Sequence, residues 1–258
     1  MRVTGIIPAR LESSRLPGKL LLNETGKPLI QHCWESASQA SVLRPQGEEP
    51  SPDLLVATDS LQIAAAVNLF GGEVAMTGEH PCGTDRIAEV VRRQLPDADI
   101  IVNIQGDEPD IDPAAIDKVA SLLIEDPRAG MATLCTSIFE ASMLDDPGCV
   151  KAVVSSDGRA LYFSRSPIPF LRDGDREKLL ASEDSPWKLH LGIYAYRREF
   201  LLHLTEQPPS PLEQHEKLEQ LRALELGATI RIAEVAHRSV GIDTSEDYAR
   251  FVAGRKVA

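Results

Sequence analysis

Short apolar segments alternate with longer amphipathic segments through the first half of this 258-residue chain, and this alternation limits the fold more than any other feature. Residues 3–7, 54–60 and the start of 98–109 are rich in Val, Ile and Leu, which predicts buried strands. The segments between them carry apolar residues at helical spacing. A βαβ alternation of this kind predicts an α/β protein with a mostly parallel sheet and helices on both faces.

The pattern changes after residues 131–138. Residues 150–165 predict two strands joined by a tight turn at Asp157-Gly158, and residues 190–196 predict a further strand. Residues 44–52 are rich in Gly, Pro and acidic residues, which predicts a surface loop.

The last part of the chain returns to helical and strand signals. Residues 210–227 predict one helix, with a capping box from Ser210 to Glu213 and with Gly227 at its end. A strand, a tight turn and a helix capped near Thr244 are expected to follow.

Charge and cysteine content narrow the class of protein. A net charge of −12 argues against a nucleic-acid binder, because such proteins present a wide basic surface. The four cysteines show neither a CxxC pair nor a zinc-ligand spacing, which is typical of reduced intracellular thiols. No apolar run approaches the ~20 residues of a membrane helix. We therefore expect a cytoplasmic protein without nucleic-acid or membrane partners.

The loop after the first strand carries three cations, Arg10, Arg15 and Lys19. Ligands of open α/β sheets bind beyond the carboxyl ends of the strands, where this loop is expected to lie. It matches neither a Walker A loop nor a GxGxxG fingerprint. Two guanidinium groups and an ammonium suit the oxygens of a triphosphate. On these residues alone, a solvated basic loop that balances an acidic surface is the simpler interpretation.

Acidic side chains follow a second predicted strand at the same edge of the sheet. Asp107 and Glu108 come directly after Gly106, and Asp243 lies in a tight turn near the end of the chain. Carboxylates are the ligands that hold Mg²⁺ beside substrate phosphates. The turn Cys82-Gly83 at a helix start could hold a base or ribose. Alone, each of these residues also fits a turn or a helix cap.

Seven segments together resemble one family, the 3-deoxy-manno-octulosonate (Kdo) cytidylyltransferases. They are IIPARLESSRLPGK, HPCGTDR, VNIQGDEP, ALYFSRSPIP, HLGIYAYR, SPLEQHEKLEQLR and GIDTSED, in the order and near the spacing of that family. The resemblance implies a Rossmann-like nucleotide-diphospho-sugar transferase fold. It also implies a Mg²⁺-dependent homodimer that converts CTP and Kdo to CMP-Kdo and pyrophosphate for lipopolysaccharide biosynthesis. One domain over 1–258 is expected, with a smaller sugar-binding and dimerisation lobe mainly within 150–226.

The resemblance also implies roles for individual residues. The catalytic positions are Arg10, Lys19, Asp107 and Asp243, and the two aspartates are the metal ligands. The nucleotide positions are Pro8, Ala9, Arg10, Arg15, Lys19, Cys82, Gly83 and Asp107. The sugar positions are Gln105, Arg165, Arg172, His190, Tyr194, Glu219 and Gln220. Without the resemblance, Arg165 fits an ion pair at a strand end, and His190 fits a core histidine. Glu219 and Gln220 then fit a solvated helix face.

The chain departs from the family pattern at a few positions. Cys82 replaces a usual Ser, Asp85 replaces a usual Glu, His80-Pro81 replaces His-Gln, and residues 44–52 resemble an insertion. Two alternatives stay open at this point. One is a cytidylyltransferase for another acidic sugar, such as sialic acid or an amino-substituted Kdo, and the other is a non-catalytic nucleotide-binding protein.

Overall fold

A computed structural model describes residues 1–13, 15–44, 53–182, 184–236 and 238–255. These residues form two compact units, one from Met1–Asp117 with Ser239–Ala258 and the other from Lys118–Arg238. Apart from Arg44, the surface loop predicted over 44–52 lies outside the described residues. Within the described part of the chain, no helix is both long and apolar enough to cross a membrane.

The first unit contains four parallel strands in the order β3-β2-β1-β4. They are β1 (Val3–Ala9), β2 (Leu54–Thr58), β3 (Glu73–Met76) and β4 (Ile100–Asn103). β2 and β4 are buried along their whole length and β1 along nearly all of it, as expected for parallel strands covered by helices on both faces. The predicted strands at 3–7 and 54–60 and the one at the start of 98–109 are confirmed. β3 was not predicted, since only one of its four residues is buried.

The helices that follow these strands bury one face each. They are α1 (Leu29–Ala37), α2 (Leu61–Leu69), α3 (Gly83–Gln94) and α4 (Pro113–Glu125). The Ser60 hydroxyl caps α2 by accepting the backbone N–H of Ile63 at 3.4 Å. Asp112 begins α4 in the same way, accepting the N–H of Ala114 at 2.9 Å. Such caps satisfy backbone donors that a helix start leaves unpaired.

The second unit contains a mixed set of strands. They are β5 (Met131–Ser137), β6 (Lys151–Val154), β7 (Ala160–Ser164), β8 (Lys188–Arg197) and β9 (Ile230–Glu234). β5 pairs with β9 in parallel and with β8 antiparallel, while β6 pairs antiparallel with β7 and β8. The hairpin predicted at Asp157-Gly158 is confirmed, and Gly158 has the positive φ of 76° that its turn requires.

Five helices of the second unit connect these strands. They are α5 (Ala141–Asp145), α6 (Arg176–Leu180), α7 (Arg198–Glu206), α8 (Pro211–Glu216) and α9 (Gln220–Glu225). A final helix, α10 (Ser245–Arg255), belongs to the first unit and begins just after Thr244, as predicted.

The single helix predicted over 210–227 is wrong, because the chain breaks it between α8 and α9. Its predicted capping box is present, with the Ser210 and Glu213 side chains each accepting the other residue's backbone N–H. The break comes at Lys217, which has the left-handed conformation φ 55° and ψ 49°. A lysine rarely adopts this conformation without support from its surroundings.

Candidate active site

Lys19 is the central cation of the first unit. It follows Gly18, whose φ of 66° lets the loop after β1 turn tightly into a short 3₁₀ helix at Lys19–Leu21. The Lys19 side chain is only 13% exposed. Its ammonium lies 2.5 Å from Asp107 Oδ2, 3.1 Å from Asp243 Oδ1 and 3.0 Å from the backbone oxygen of Ile242. Three of the four residues predicted to be catalytic are therefore in direct contact.

The two aspartates reach this point from the two separate chain segments of the first unit. Asp107 follows β4, and Asp243 precedes α10. The backbone N–H of Ile242 donates to the backbone oxygen of Asp107 at 2.9 Å, which joins the two segments. Arg15 adds a second cation, 3.0 Å from Asp243 Oδ1. Arg10 follows β1 directly and is exposed.

The donor set of this cluster fits Mg²⁺. Asp107 and Asp243 both touch one ammonium, so their carboxylates converge on a point that already attracts a cation. Mg²⁺ is usually held by one or two carboxylates, with phosphate and water completing its coordination. Among the described residues, no three His, Cys, Asp or Glu side chains gather in one place. An Mg²⁺ ion held by this pair would rely on substrate and water oxygens rather than on a closed protein cage.

Glu108 lies beside Asp107 but has a different environment. Burial, together with the neighbouring Asp107 charge, raises the pKa of Glu108 to about 7. Its carboxylate accepts the Ser239 hydroxyl at 2.5 Å, which opposes that rise. Sequence reasoning did not single out Ser239, because nothing in the local sequence links it to a strand end 131 residues earlier.

The turn predicted to hold the nucleotide packs directly on β1. A Cβ on Gly83 would lie 3.1 Å from Pro8 Cγ, so only glycine allows this approach without displacement. Cys82 precedes α3, and its thiol donates to Asp85 Oδ2 at 3.3 Å. Ala9 is 1% exposed, so this predicted nucleotide position is almost fully buried. The structure therefore brings Pro8, Cys82 and Gly83 together.

A group of polar contacts that the sequence analysis missed fixes the segment before this turn. The guanidinium of Arg86, 4% exposed on α3, donates to Asp59 Oδ2 at 2.8 Å and to Thr77 Oγ1 at 2.5 Å. One turn later, Glu89 accepts the N–H of Gly78 at 3.0 Å, and its carboxylate lies 2.6 Å from His80 Nε2. Arg86 is the last residue of the HPCGTDR segment, and its place in that segment was the sequence signal that could have identified it.

His190 and Tyr194 lie on β8 in the second unit. The His190 ring packs edge-on against Phe163 at 5.0 Å and lies 5.3 Å from the Tyr194 ring. Its Nε2 lies 3.0 Å from Thr133 Oγ1. Burial lowers the pKa of His190 to about 3, and burial with the Glu219 charge raises the pKa of Tyr194 well above its usual range. Both rings are therefore neutral at physiological pH.

Gln220 begins α9 and is 3% exposed. Its amide nitrogen has no hydrogen-bond partner among the described residues, although such a buried group normally has one. It shares this property with the Nε atoms of Arg176 and Arg231 in the same unit. Gln105, also predicted to bind sugar, belongs to the first unit, where its backbone oxygen accepts the Cys33 thiol at 3.2 Å.

Arg165 clamps the break between α8 and α9. Its side chain donates to the backbone oxygens of Glu216 at 2.6 Å, Pro147 at 2.8 Å and Lys217 at 3.3 Å. The Glu216 carboxylate in turn accepts the N–H of Arg165 at 2.9 Å and the Ser164 hydroxyl at 2.5 Å. Arg172, by contrast, is 91% exposed and lies 3.8 Å from Asp173. The structure thus places one predicted sugar ligand in a structural clamp and leaves the other at the surface.

Known proteins match this chain over almost its full length. A family model described as cytidylyltransferase matches residues 4–230. The 3-deoxy-manno-octulosonate cytidylyltransferase of Rhodopirellula baltica is 48% identical over 98% of both chains, and that of Geobacter sulfurreducens is 47% identical over the same shares. The chain belongs to the 3-deoxy-manno-octulosonate cytidylyltransferase family.

Solved structures agree with this membership. A CMP:2-keto-3-deoxy-manno-octonic acid synthetase complexed with CTP matches all of this chain and 99% of its own, with 41% identity and a TM-score of 0.88. This match confirms the predicted Rossmann-like fold. A 4-diphosphocytidyl-2C-methyl-D-erythritol synthase from Anaerococcus prevotii, 10% identical with a TM-score of 0.60, covers 98% of this chain and 96% of its own and shares the fold alone.

Proposed function

We propose that this chain transfers CMP from CTP to the anomeric 2-hydroxyl of Kdo, giving CMP-Kdo and pyrophosphate. The observation that carries the proposal is full-length identity of 47–48% to two enzymes named for this reaction. The contact of Lys19 with Asp107 and Asp243 supports it, because nucleotidyl transfer needs cations and metal-binding carboxylates at one point.

The first unit holds the nucleotide in this proposal. Arg10, Arg15 and Lys19 bind the triphosphate and stabilise the negative charge that collects on the departing pyrophosphate. The backbone of Cys82 and Gly83 contacts the nucleoside. Asp107 and Asp243 would hold Mg²⁺, which would supply positive charge to offset that of the phosphates.

The second unit recognises the sugar acid. Neutral His190, protonated Tyr194 and the Gln220 amide nitrogen, which has no hydrogen-bond partner among the described residues, are suited to hydroxyl groups. An analogue without those hydroxyls would leave buried polar atoms unpaired. We assign the carboxylate of Kdo to Arg172 and to Arg165, whose bonds to three backbone oxygens use only part of its five N–H donors. We place Gln105 and Glu219 among the sugar contacts.

The reaction itself needs no covalent intermediate with the protein. The 2-hydroxyl oxygen of Kdo attacks the α-phosphorus of CTP in line, and the bond from that phosphorus to the pyrophosphate oxygen breaks as the hydroxyl proton is released. The side chains contribute by holding the two substrates in this geometry and by stabilising charge. We further propose that the enzyme works as a cytoplasmic homodimer in lipopolysaccharide biosynthesis.

Pyrophosphate release over a panel of nucleotides and sugars tests this function. The purified chain is incubated with Mg²⁺, one of CTP, UTP, GTP and ATP, and one of Kdo, an amino-substituted Kdo and sialic acid. We expect the highest kcat/KM with CTP and Kdo. A higher kcat/KM with another acidic sugar would reassign the substrate, and release from no pair would favour a non-catalytic nucleotide-binding protein.

A further inference from the structure

The Lys19 ammonium has three N–H donors, and three oxygens surround it at hydrogen-bond distance. Two belong to Asp107 and Asp243 and the third is the backbone oxygen of Ile242. Carboxylate and carbonyl oxygens are also the ligands that a hard divalent cation prefers. The lysine therefore occupies one oxygen of each carboxylate that the proposed function gives to Mg²⁺.

These oxygens cannot serve both cations at contact distance. Mg²⁺ binds oxygen at about 2.0–2.1 Å, so an ammonium on the same oxygens would lie close to the metal and repel it. The Lys19 side chain is also largely shielded from solvent, which strengthens this repulsion relative to water. A metal bound to these two carboxylate oxygens thus requires the ammonium to leave.

We propose that Lys19 is the resident cation of the divalent site and that arriving nucleotide draws it away, so that nucleotide and divalent cation bind cooperatively. This inference rests on the proposed function, which assigns the aspartates to the metal and Lys19 to the triphosphate. A lysine is suited to the exchange because its charge sits on a flexible four-carbon stem. By linkage, the metal then tightens nucleotide binding by the same factor.

Mn²⁺ titration of the nucleotide-free enzyme, followed through the EPR signal of unbound Mn²⁺, tests the proposal. Lys19→Met removes the resident cation and should tighten Mn²⁺ binding by about tenfold or more, the scale of removing one charge at contact distance. Lys19→Gln should also bind Mn²⁺ more tightly than wild type, because it removes the charge while keeping a hydrogen-bond donor. Thermal melts confirm that each variant is folded.

Arg15→Met is the matched control, because it removes one positive charge from Asp243 without vacating Asp107. Its Mn²⁺ affinity should stay within about threefold of wild type, since an exposed charge is well screened. The double variant Lys19→Met with Asp107→Asn should not show the tighter Mn²⁺ binding of Lys19→Met. Equal increases in Mn²⁺ affinity in Arg15→Met and Lys19→Met would overturn the proposal. An increase in Mn²⁺ affinity that persists when Asp107 is replaced would also overturn it.

The failure of this inference is distinguishable from failure of the function. If wild type forms CMP-Kdo but neither Lys19 variant binds Mn²⁺ more tightly, the resident-cation proposal is wrong and the function stands. If the Lys19 variants bind Mn²⁺ more tightly through Asp107 but wild type shows no cytidylyl transfer, the Lys19 ammonium does compete with the divalent cation, and the proposed function is wrong.

Discussion

The clamp between Glu216 and Arg165 offers the most direct link between local structure and sugar binding. Glu216→Gln keeps the side-chain shape but removes the charge and one acceptor oxygen. The carboxylate now accepts the buried Ser164 hydroxyl at 2.5 Å and the backbone N–H of Arg165 at 2.9 Å. In the variant one of these bonds becomes neutral, and the other is lost with its donor left unpaired.

The expected cost follows from those two bonds. A bond to a charged acceptor contributes about 1.5–3 kcal/mol and a neutral one about 1 kcal/mol, so replacing two charged bonds by one neutral bond should cost the junction between α8 and α9 at least about 2 kcal/mol. This junction positions Glu219 and Gln220 at the start of α9. If sugar binding must restore the junction, KM for Kdo should rise by about thirtyfold or more, while KM for CTP should change by less than about threefold.

Steady-state titration of each substrate against a saturating concentration of the other measures this split. Glu199→Gln is a suitable control, because it removes an 84% exposed carboxylate of the same unit and should change neither KM. A Glu216→Gln variant whose KM for CTP rises as much as its KM for Kdo would refute the reasoning, and so would unchanged values for both substrates.

Three further predictions concern other residues. Asp107→Ala should lower the rate of pyrophosphate release by about a thousandfold while the thermal melt shows an intact fold, since a lost metal contact costs ~4 kcal/mol in the transition state; a loss below tenfold would contradict the metal role. His190 stays neutral in the fold down to about pH 3, whereas it takes up a proton near 6.5 when unfolded, so its contribution to stability is lost as pH falls between these values. His190→Gln should therefore lose less stability than wild type between neutral pH and about pH 5, by urea denaturation. Cys82→Ser should change CTP affinity by less than ~1 kcal/mol in a competition assay, whereas Cys82→Leu should block the nucleotide, and unchanged affinity in the latter would remove this turn from the site.

The elements that were predicted correctly are those whose signals are local. β1, β2 and β4 are short apolar runs, and the hairpin and capping box each depend on residues only a few positions apart. The meeting of Lys19 with Asp107 was also within reach, although 88 residues separate them, because parallel strands present their carboxyl ends at one edge.

The errors arise where distant residues decide the local structure. The apolar spacing of 210–227 continues through Leu218 and Leu221, so the sequence favours one uninterrupted helix. Contacts from Ser164 and Arg165, about fifty positions earlier, hold the chain at the break instead. The contact between Asp59 and Arg86 was missed for the same reason, since neither residue has a local signal of its partner. The substrate and metal roles of the site residues stay predictions that the variants above test.

Phosphorus NMR of a reaction with CTP, Kdo and Mg²⁺ tests the central claim most directly. The account predicts that the three CTP resonances give way to one phosphodiester resonance of CMP-Kdo and to pyrophosphate, in equal molar amounts. Neither product should form when Kdo is left out. Inorganic phosphate with CDP, or pyrophosphate with free CMP and no phosphodiester, would contradict the account, because either result would mean that water rather than the sugar hydroxyl attacks the nucleotide.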